Sequence, residues 1–290
     1  MQSYYLDANI IRNLAEASSP WRKNARALRS LVGVGAWAIL GSLELLEELT
    51  SLACSDAERY GQAVALFWSI VGDRVLRPTG KLMEIELRTG AAAARAEAYL
   101  DSATIANMRA LSSDRSGMAS LREDVRRLKS EDEKLWNDIG DGVERELTAR
   151  ARGGQAPSGD AGPFFCEKSV QSWFLTLARS QGKRLGLSAN HTDQLRVSRL
   201  PCSRASVSFC MAQILRRHRS GTEQRFRAND FYDRRHYTLA AMAGCFVTED
   251  RALRRTVGEI GYEPLPVMTG EEFSRRLVND VEAGGAALRG

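Results

Sequence analysis

Twice in this chain, once near each end, a short apolar run stops on an acid and passes straight into a helical pattern. At the start, Tyr4 to Leu6 leads into Asp7, after which Ala8, Asn9 and Ile10 open a helix. Near the end, CFVT (Cys245 to Thr248) gives way to Glu249 and Asp250, and ALRRTVGEI follows with helical character. Strands that alternate with helices argue for a parallel sheet, and such a sheet collects its ligands beyond the carboxyl ends of its strands. If the two strands are parallel neighbours, Asp7 and Asp250 meet at one edge of that sheet, although most of the chain separates them.

The intervening residues extend the pattern. A helix from Trp21 to Val32, after the turn at Ser18 to Pro20, leads to a strand AWAIL (Ala36 to Leu40). Ser42 is expected to cap the next helix, which carries Glu44, Glu47 and Glu48. Another helix is expected from Asp56 to Val71. The helix before CFVT, with Phe231, Thr238, Leu239 and Met242 at helical spacing, carries Asp233 and breaks at Gly244, as a C-terminal glycine would make it. A last strand, Pro264 to Met268, precedes an amphipathic helix, and the final GGAALRG is expected to fray. From residue 81 the pattern changes to charged, alanine-rich helices, AAAARAEAYL and LREDVRRLKSEDEKLWNDI, with no strand between them. A Gly- and Pro-rich loop covers 152–163, and two more helices close the segment. Residues 81–224 therefore read as a helical insertion between two parts of one α/β domain, 1–80 and 225–280.

Composition sets bounds on function. Hydrophobic content of 43% supports a substantial core in 290 residues. No run reaches the ~18 to 20 apolar residues of a membrane span, and no secretory leader is apparent, so a cytoplasmic protein with no membrane partner is expected. Five scattered cysteines without a C-x-x-C pair point to reduced core residues rather than to disulfides or zinc. A net charge of +5 is mild; with acids gathered at one centre, the remaining surface favours a polyanionic partner.

LDANII at the amino end, an acid-bearing helix after the second strand, and D-x-x-H-x-x-x-A-A followed by a strand ending V-T-x-D resemble the PIN-domain nucleases. The resemblance covers roughly residues 1–80 and 225–275. It implies an α/β three-layer sandwich with a central, mainly parallel sheet, and catalytic, metal-binding acids at Asp7, Asp233, Asp250 and one of the glutamates. Glu48 is favoured because it precedes Leu49 in the E-L pairing frequent in that family; Glu47 and Glu44 stay open, since Glu44 lies one turn before Glu48 on the same face. Thr248 matches the family's small hydroxyl residue before the last acid. Asn9, His236 and Asp230 are read as supporting residues that hold those ligands, with Asn229 beside them at the helix start.

A cluster of carboxylates persists cheaply only around cations, because like charges at ~4 Å repel by ~1 kcal/mol even in water. All-oxygen ligands suit Mg2+ or Mn2+, which can activate water for attack on phosphorus. Each acid also has a plain structural reading: Asp7 and Asp250 as helix caps, Asp233 as a surface residue beside Arg234. Arg216, Arg217, Arg219, Arg227, Arg234 and Arg235, interleaved with Phe226, Phe231, Tyr232 and Tyr237, suit contact with single-stranded or structured RNA if those rings are exposed. The expected function is a metal-dependent endoribonuclease of toxin or defence type, with a protein inhibitor or a second copy as further partners. The alternative is a non-catalytic PIN-like module that binds RNA or protein.

Overall fold

The computed structural model describes residues 1–50, 56–114, 166–219 and 228–287. Five strands form one sheet: β1 (Gln2–Leu6), β2 (Trp37–Ser42), β3 (Val75–Leu76), β4 (Phe246–Val247) and β5 (Val267–Met268). Their order is β3-β2-β1-β4-β5 and every neighbouring pair is parallel. The chain winds outward from β1 through β2 to β3, then returns to lay β4 on the other side of β1. That reversal opens a crevice beyond the carboxyl ends of β1 and β4, where open α/β sheets bind ligands.

Helices cover both faces. Successive side chains of β1 alternate, so Tyr4 packs on one face against Trp37 at 4.5 Å and Phe273 at 5.5 Å, while Tyr5 faces His236 at 5.8 Å on the other. The helices are α1 (Ala8–Ala15), α2 (Arg22–Gly33), α3 (Leu43–Leu49), α4 (Ala57–Val71), α5 (Thr79–Thr89), α6 (Ala91–Ala96) and α7 (Ser102–Ser113). After the undescribed stretch come α8 (Glu167–Arg184), α9 (Ala189–Gln194), α10 (Pro201–Arg219), α11 (Ala228–Ala240), α12 (Arg251–Gly258) and α13 (Gly270–Ala287). Gly41 in β2 lets α4 lie directly on the sheet, because a Cβ there would stand 2.7 Å from Val71 Cγ1 and 2.8 Å from Phe67. Gly244 ends the helical segment before β4 with φ +88°, a conformation only glycine adopts without strain.

The expected strands at Tyr4, Ala36, Cys245 and Pro264 are present, the last two shortened to two residues each. β3 is additional; at two residues it is too short to leave a periodic signature. It forms one edge of the sheet, and the segment expected to continue as helix through Tyr99 instead stops at Ala96 and covers that edge. Arg77 N donates to Ala98 O at 2.8 Å, and Leu100 N to Val75 O at 2.9 Å. An exposed strand edge demands backbone partners, and that demand overrides the helix propensity of alanine. Of GGAALRG, expected to fray, the first four residues continue α13 to Ala287, and 288–290 lie outside the described residues. The stretch LREDVRRLKSEDEKLWNDI and the loop at 152–163 lie outside the described residues.

One hydrophobic cluster runs from Tyr4, Trp37 and Phe67 through Val170, Phe174 and Phe209 to Phe246 and Phe273. The described helices of segment 81–224 thus share their core with the sheet. Among the described residues no helix is long and apolar enough to cross a membrane.

Candidate functional site

Three adjacent strands deliver acids to the same edge. Asp7 follows β1, Asp250 follows β4 by two residues, and Glu44, Glu47 and Glu48 lie on α3, which starts where β2 ends. α11, running into β4, adds Asp233. Asp7 is pinned at the crevice by its own backbone, with its N–H donating to Val247 O at 2.9 Å.

Asp7 stands at the position that caps α1, yet its side chain makes no capping hydrogen bond. It is only 7% exposed. Its Oδ2 accepts from Thr248 Oγ1 at 2.7 Å, and the same hydroxyl oxygen accepts from Asp250 N at 3.0 Å. Thr248 therefore couples the two acids across neighbouring strands, as expected for a hydroxyl that orients a carboxylate. Burial, and then the nearby charge of Glu48, push the Asp7 carboxyl above its ordinary range, while His236 and the Thr248 hydroxyl oppose that rise. Asp250 does cap: Ala252 N and Leu253 N both donate to its Oδ1, at 2.7 and 2.9 Å.

Asp233 is perturbed in the same direction. Burial, then the charge of Asp250, raise its pKa to about 8; Asp230 and Glu48 add to the rise and His236 opposes it. Among the described residues its carboxyl has no hydrogen-bond donor. A half-buried carboxyl set among three other acids, with no donor among those residues, is a costly arrangement that packing does not explain. Asp230, in the first turn of α11, contributes to that field, and its backbone carbonyl accepts from Gln213 at 2.8 Å.

The structure separates the three glutamates. Glu44 points into the core at 3% exposure, with Oε1 3.3 Å from both the N–H and the hydroxyl of Thr79. Glu47 accepts from Tyr232 Oη at 3.2 Å. Glu48 alone reaches the centre, with Oε2 3.4 Å from His236 Nε2. Burial by itself would lower the His236 pKa, but Glu48 and then Asp7 outweigh it and raise the value to about 9, so the ring carries a proton at neutral pH. The charged ring donates from Nδ1 to Tyr5 Oη at 2.8 Å, and Tyr5 Oη lies 2.7 Å from Ser42 Oγ, which caps α3 by accepting from Leu45 N at 3.1 Å. A hydrogen-bonded line thus runs from the start of α3 through Tyr5 on β1 to His236 on α11, and the ion pair of that ring with Glu48 returns it to α3. Sequence reasoning missed Tyr5, whose place in a strand reads only as core.

Several expectations are corrected. Asn9 does not hold Asp7; it is exposed, and its Oδ1 accepts from Arg12 Nη1 at 3.3 Å. It follows Asp7 by two residues on a helix, a spacing that turns the two side chains to different faces. Arg216 is engaged within the fold, donating to Thr256 Oγ1 at 2.5 Å and Ala252 O at 3.2 Å and so tying α10 to α12. Phe231, Tyr232 and Tyr237 are buried rather than open to bases. Arg234 and Arg235 lie over the Phe231 ring at 5.0 and 4.1 Å. Arg227 lies outside the described residues, as do Phe226 and the side chains of Arg217, Arg219 and Asn229.

Comparison with protein-family models, curated proteins and solved structures finds no match. The site must be judged on its own chemistry. Its donors are all carboxylate oxygens apart from one histidine, which suits a hard divalent cation better than zinc. Their spacing is looser than that of a finished coordination sphere: among the described residues no three His, Cys, Asp or Glu side chains stand close enough together to hold one ion.

Proposed function

We propose that this protein is a divalent-metal-dependent endoribonuclease of the PIN type, working at the crevice between β1 and β4. The observation that carries the reading is Asp7: a buried carboxylate at a helix start that leaves capping undone, held on Thr248 and facing Glu48, with Asp233 destabilised by the same group of acids. Asp7, Asp233, Asp250 and Glu48 would hold Mg2+ or Mn2+, which would supply a water activated for attack on a phosphodiester and charge to neutralise the leaving oxygen.

The chain's own residues prepare that chemistry. Thr248 fixes which oxygen of Asp7 remains available, and Asp250 spends Oδ1 on α12, leaving Oδ2 for the crevice. His236 restrains Glu48 and offsets part of the negative charge while the acids await a cation. Arg251 and Arg255, exposed on α12 just past Asp250, suit the phosphates of a bound RNA.

A non-catalytic RNA- or protein-binding module of the same type is the second reading, favoured by the absence of three ready ligands among the described residues and by the His236–Glu48 pair, which neutralises charge without a metal. Incubating purified protein with labelled single-stranded RNA, transfer RNA and DNA, in magnesium, manganese or chelator, separates the two. Manganese-dependent RNA cleavage together with a manganese-induced rise in melting temperature is expected. RNA binding with neither response leaves the module reading in its place.

A further inference from the structure

Beside the acidic crevice lies a polar cleft of about 210 Å3, lined by Asn9, Arg12, Asn13, Glu16 and Arg59. Three of these side chains come from α1, which begins immediately after Asp7, and Glu16 stands at its C-cap, so that the four recur once per turn along the face that α1 leaves outside the core. At 1.5 Å per residue, the step from Asn9 to Glu16 extends the cleft by roughly 10 Å away from Asp7. Arg12 fastens the near end to the site itself: its Nη2 donates to the backbone carbonyl of Glu48 at 2.5 Å and its Nη1 to Asn9. At the far end Arg59, on α4, pairs with Glu16 and lies 3.7 Å from Asp56.

The chemistry of these side chains is specific. Two carboxamides offer paired donors and acceptors of the kind that read base edges, and two guanidiniums offer forked donors of the kind that hold phosphate. The volume is below the ~300 to 1,000 Å3 of drug-sized ligand sites, which fits one nucleotide unit of a longer chain better than a free small molecule. Glu16 is the discordant member, since its carboxylate occupies Arg59 and would repel a phosphate. We infer that this cleft seats the nucleotide adjacent to the cleaved phosphodiester of a single-stranded RNA, with Asn9 and Asn13 against the base, Arg12 and Arg59 toward the phosphate, and Glu16 exchanged for that phosphate on Arg59. The inference rests on the endoribonuclease reading and adds the direction in which the RNA leaves the acids.

The Glu16–Arg59 pair makes the test decisive, because removing either partner breaks the same ion pair. A purely structural pair would shift binding only as any gain or loss of one surface charge does, a size set by Asp73→Asn and Arg109→Gln at an exposed ion pair elsewhere. A phosphate seat gives opposite effects that exceed that control. Binding of a fluorescent single-stranded RNA oligonucleotide is measured in chelator, where no cleavage occurs, across a salt series, with the melting temperature of each variant as the folding control. Arg59→Gln is expected to weaken binding roughly two- to fivefold. The slope of log affinity against log salt should fall by about 0.7, one phosphate's share. Glu16→Gln is expected to tighten binding by a similar factor, and Asn13→Ala to weaken it without changing the slope. Shifts of the same sign for Arg59→Gln and Glu16→Gln, or none beyond that control, overturn the cleft while leaving wild-type cleavage intact. Failure of the wild type to bind RNA at all overturns both the cleft and the reading beneath it.

Discussion

Two buried acidic regions of this protein are treated in opposite ways. Glu86, on α5, is fully buried and accepts from Cys202 N, Ser203 N and Ser203 Oγ at 2.8, 2.8 and 2.7 Å. Those donors are in the first turn of α10, so the carboxylate caps a helix that is distant in sequence and welds it to α5. Burial still raises the Glu86 pKa, but the hydrogen bonds from Ser203 and Cys202 oppose the rise. At the β1–β4 crevice the neighbours are different. Asp7 has one hydroxyl and Asp233 has no donor among the described residues, and the charges nearest them are mostly negative. The acid at the helix junction is given donors; those at the crevice are held near others of their kind, the environment that the proposed metal site would need.

The sharpest way to break this contrast is to remove each acid in turn. Asp7→Ala or Asp233→Ala should abolish manganese-dependent RNA cleavage, by more than the ~10- to 100-fold typical of losing a ligand's outer partner. The metal-free melting temperature should equal or exceed that of the wild type, because a desolvated carboxyl crowded by other acids has gone. Cleavage that persists in both variants, with a contaminating nuclease excluded, ends the nuclease reading. Glu86→Ala should do the reverse. It strands three buried donors and should cost on the order of 3 kcal/mol in a denaturant titration, with cleavage retained wherever the protein stays folded. A Glu86→Ala protein as stable as wild type would dissolve the comparison.

The pH dependence of the metal-free protein follows from the same site. Asp233 has a pKa of 3.8 when unfolded and about 8 when folded, so folding retains a proton that the unfolded chain releases, and stability falls as pH rises from about 4 to about 8. His236 goes from 6.5 to about 9; its contribution is complete below 6.5 and is lost as pH rises through 9. Both act in one direction. Melting temperature should therefore decline across this range. Asp233→Asn should flatten the lower part of the decline, and His236→Gln the part above 6.5. A curve that rises from pH 5 to 8 would contradict the assignment.

Smaller effects sharpen the picture. Thr248→Val removes the hydroxyl shared by Asp7 and Asp250 while keeping shape, and should cost about 1 kcal/mol of stability along with a drop in cleavage rate that Thr248→Ser restores. Arg216→Ala should loosen the α10–α12 contact by less than about 1 kcal/mol and leave the salt dependence of RNA binding unchanged. A clear change in that slope would return Arg216 to the RNA path.

Much of this arrangement is legible in the chain itself. Apolar runs that end on Asp7 and just before Asp250 mark two strand ends, Ser42 announces its helix, and Gly244 announces a stop, because strand, cap and turn preferences depend on neighbouring residues. The resemblance to PIN domains favours Glu48 as the second acid, with Glu47 and Glu44 left open, and spacing on α3 alone does not choose among the three. Glu44 and Glu48 share a helix face, and what distinguishes them is the position of Thr79 on one side and His236 on the other, both far away in sequence. The basic and aromatic residues around Asp233 mislead for the same reason: sequence spacing shows that they cluster and not which of them the core takes in.

What the sequence alone determined is therefore the set of acids and the local elements that carry them. The tertiary structure decided their environment: β1 laid beside β4, Thr248 joining the Asp7 carboxylate to the Asp250 backbone, Glu48 turned to a His236 ring that Tyr5 holds from its other nitrogen, and Glu86 supplied with the donors that Asp233 lacks. Burial and charge proximity are properties of the packed chain, and they decide which carboxylate serves as a cap and which is left crowded by other acids.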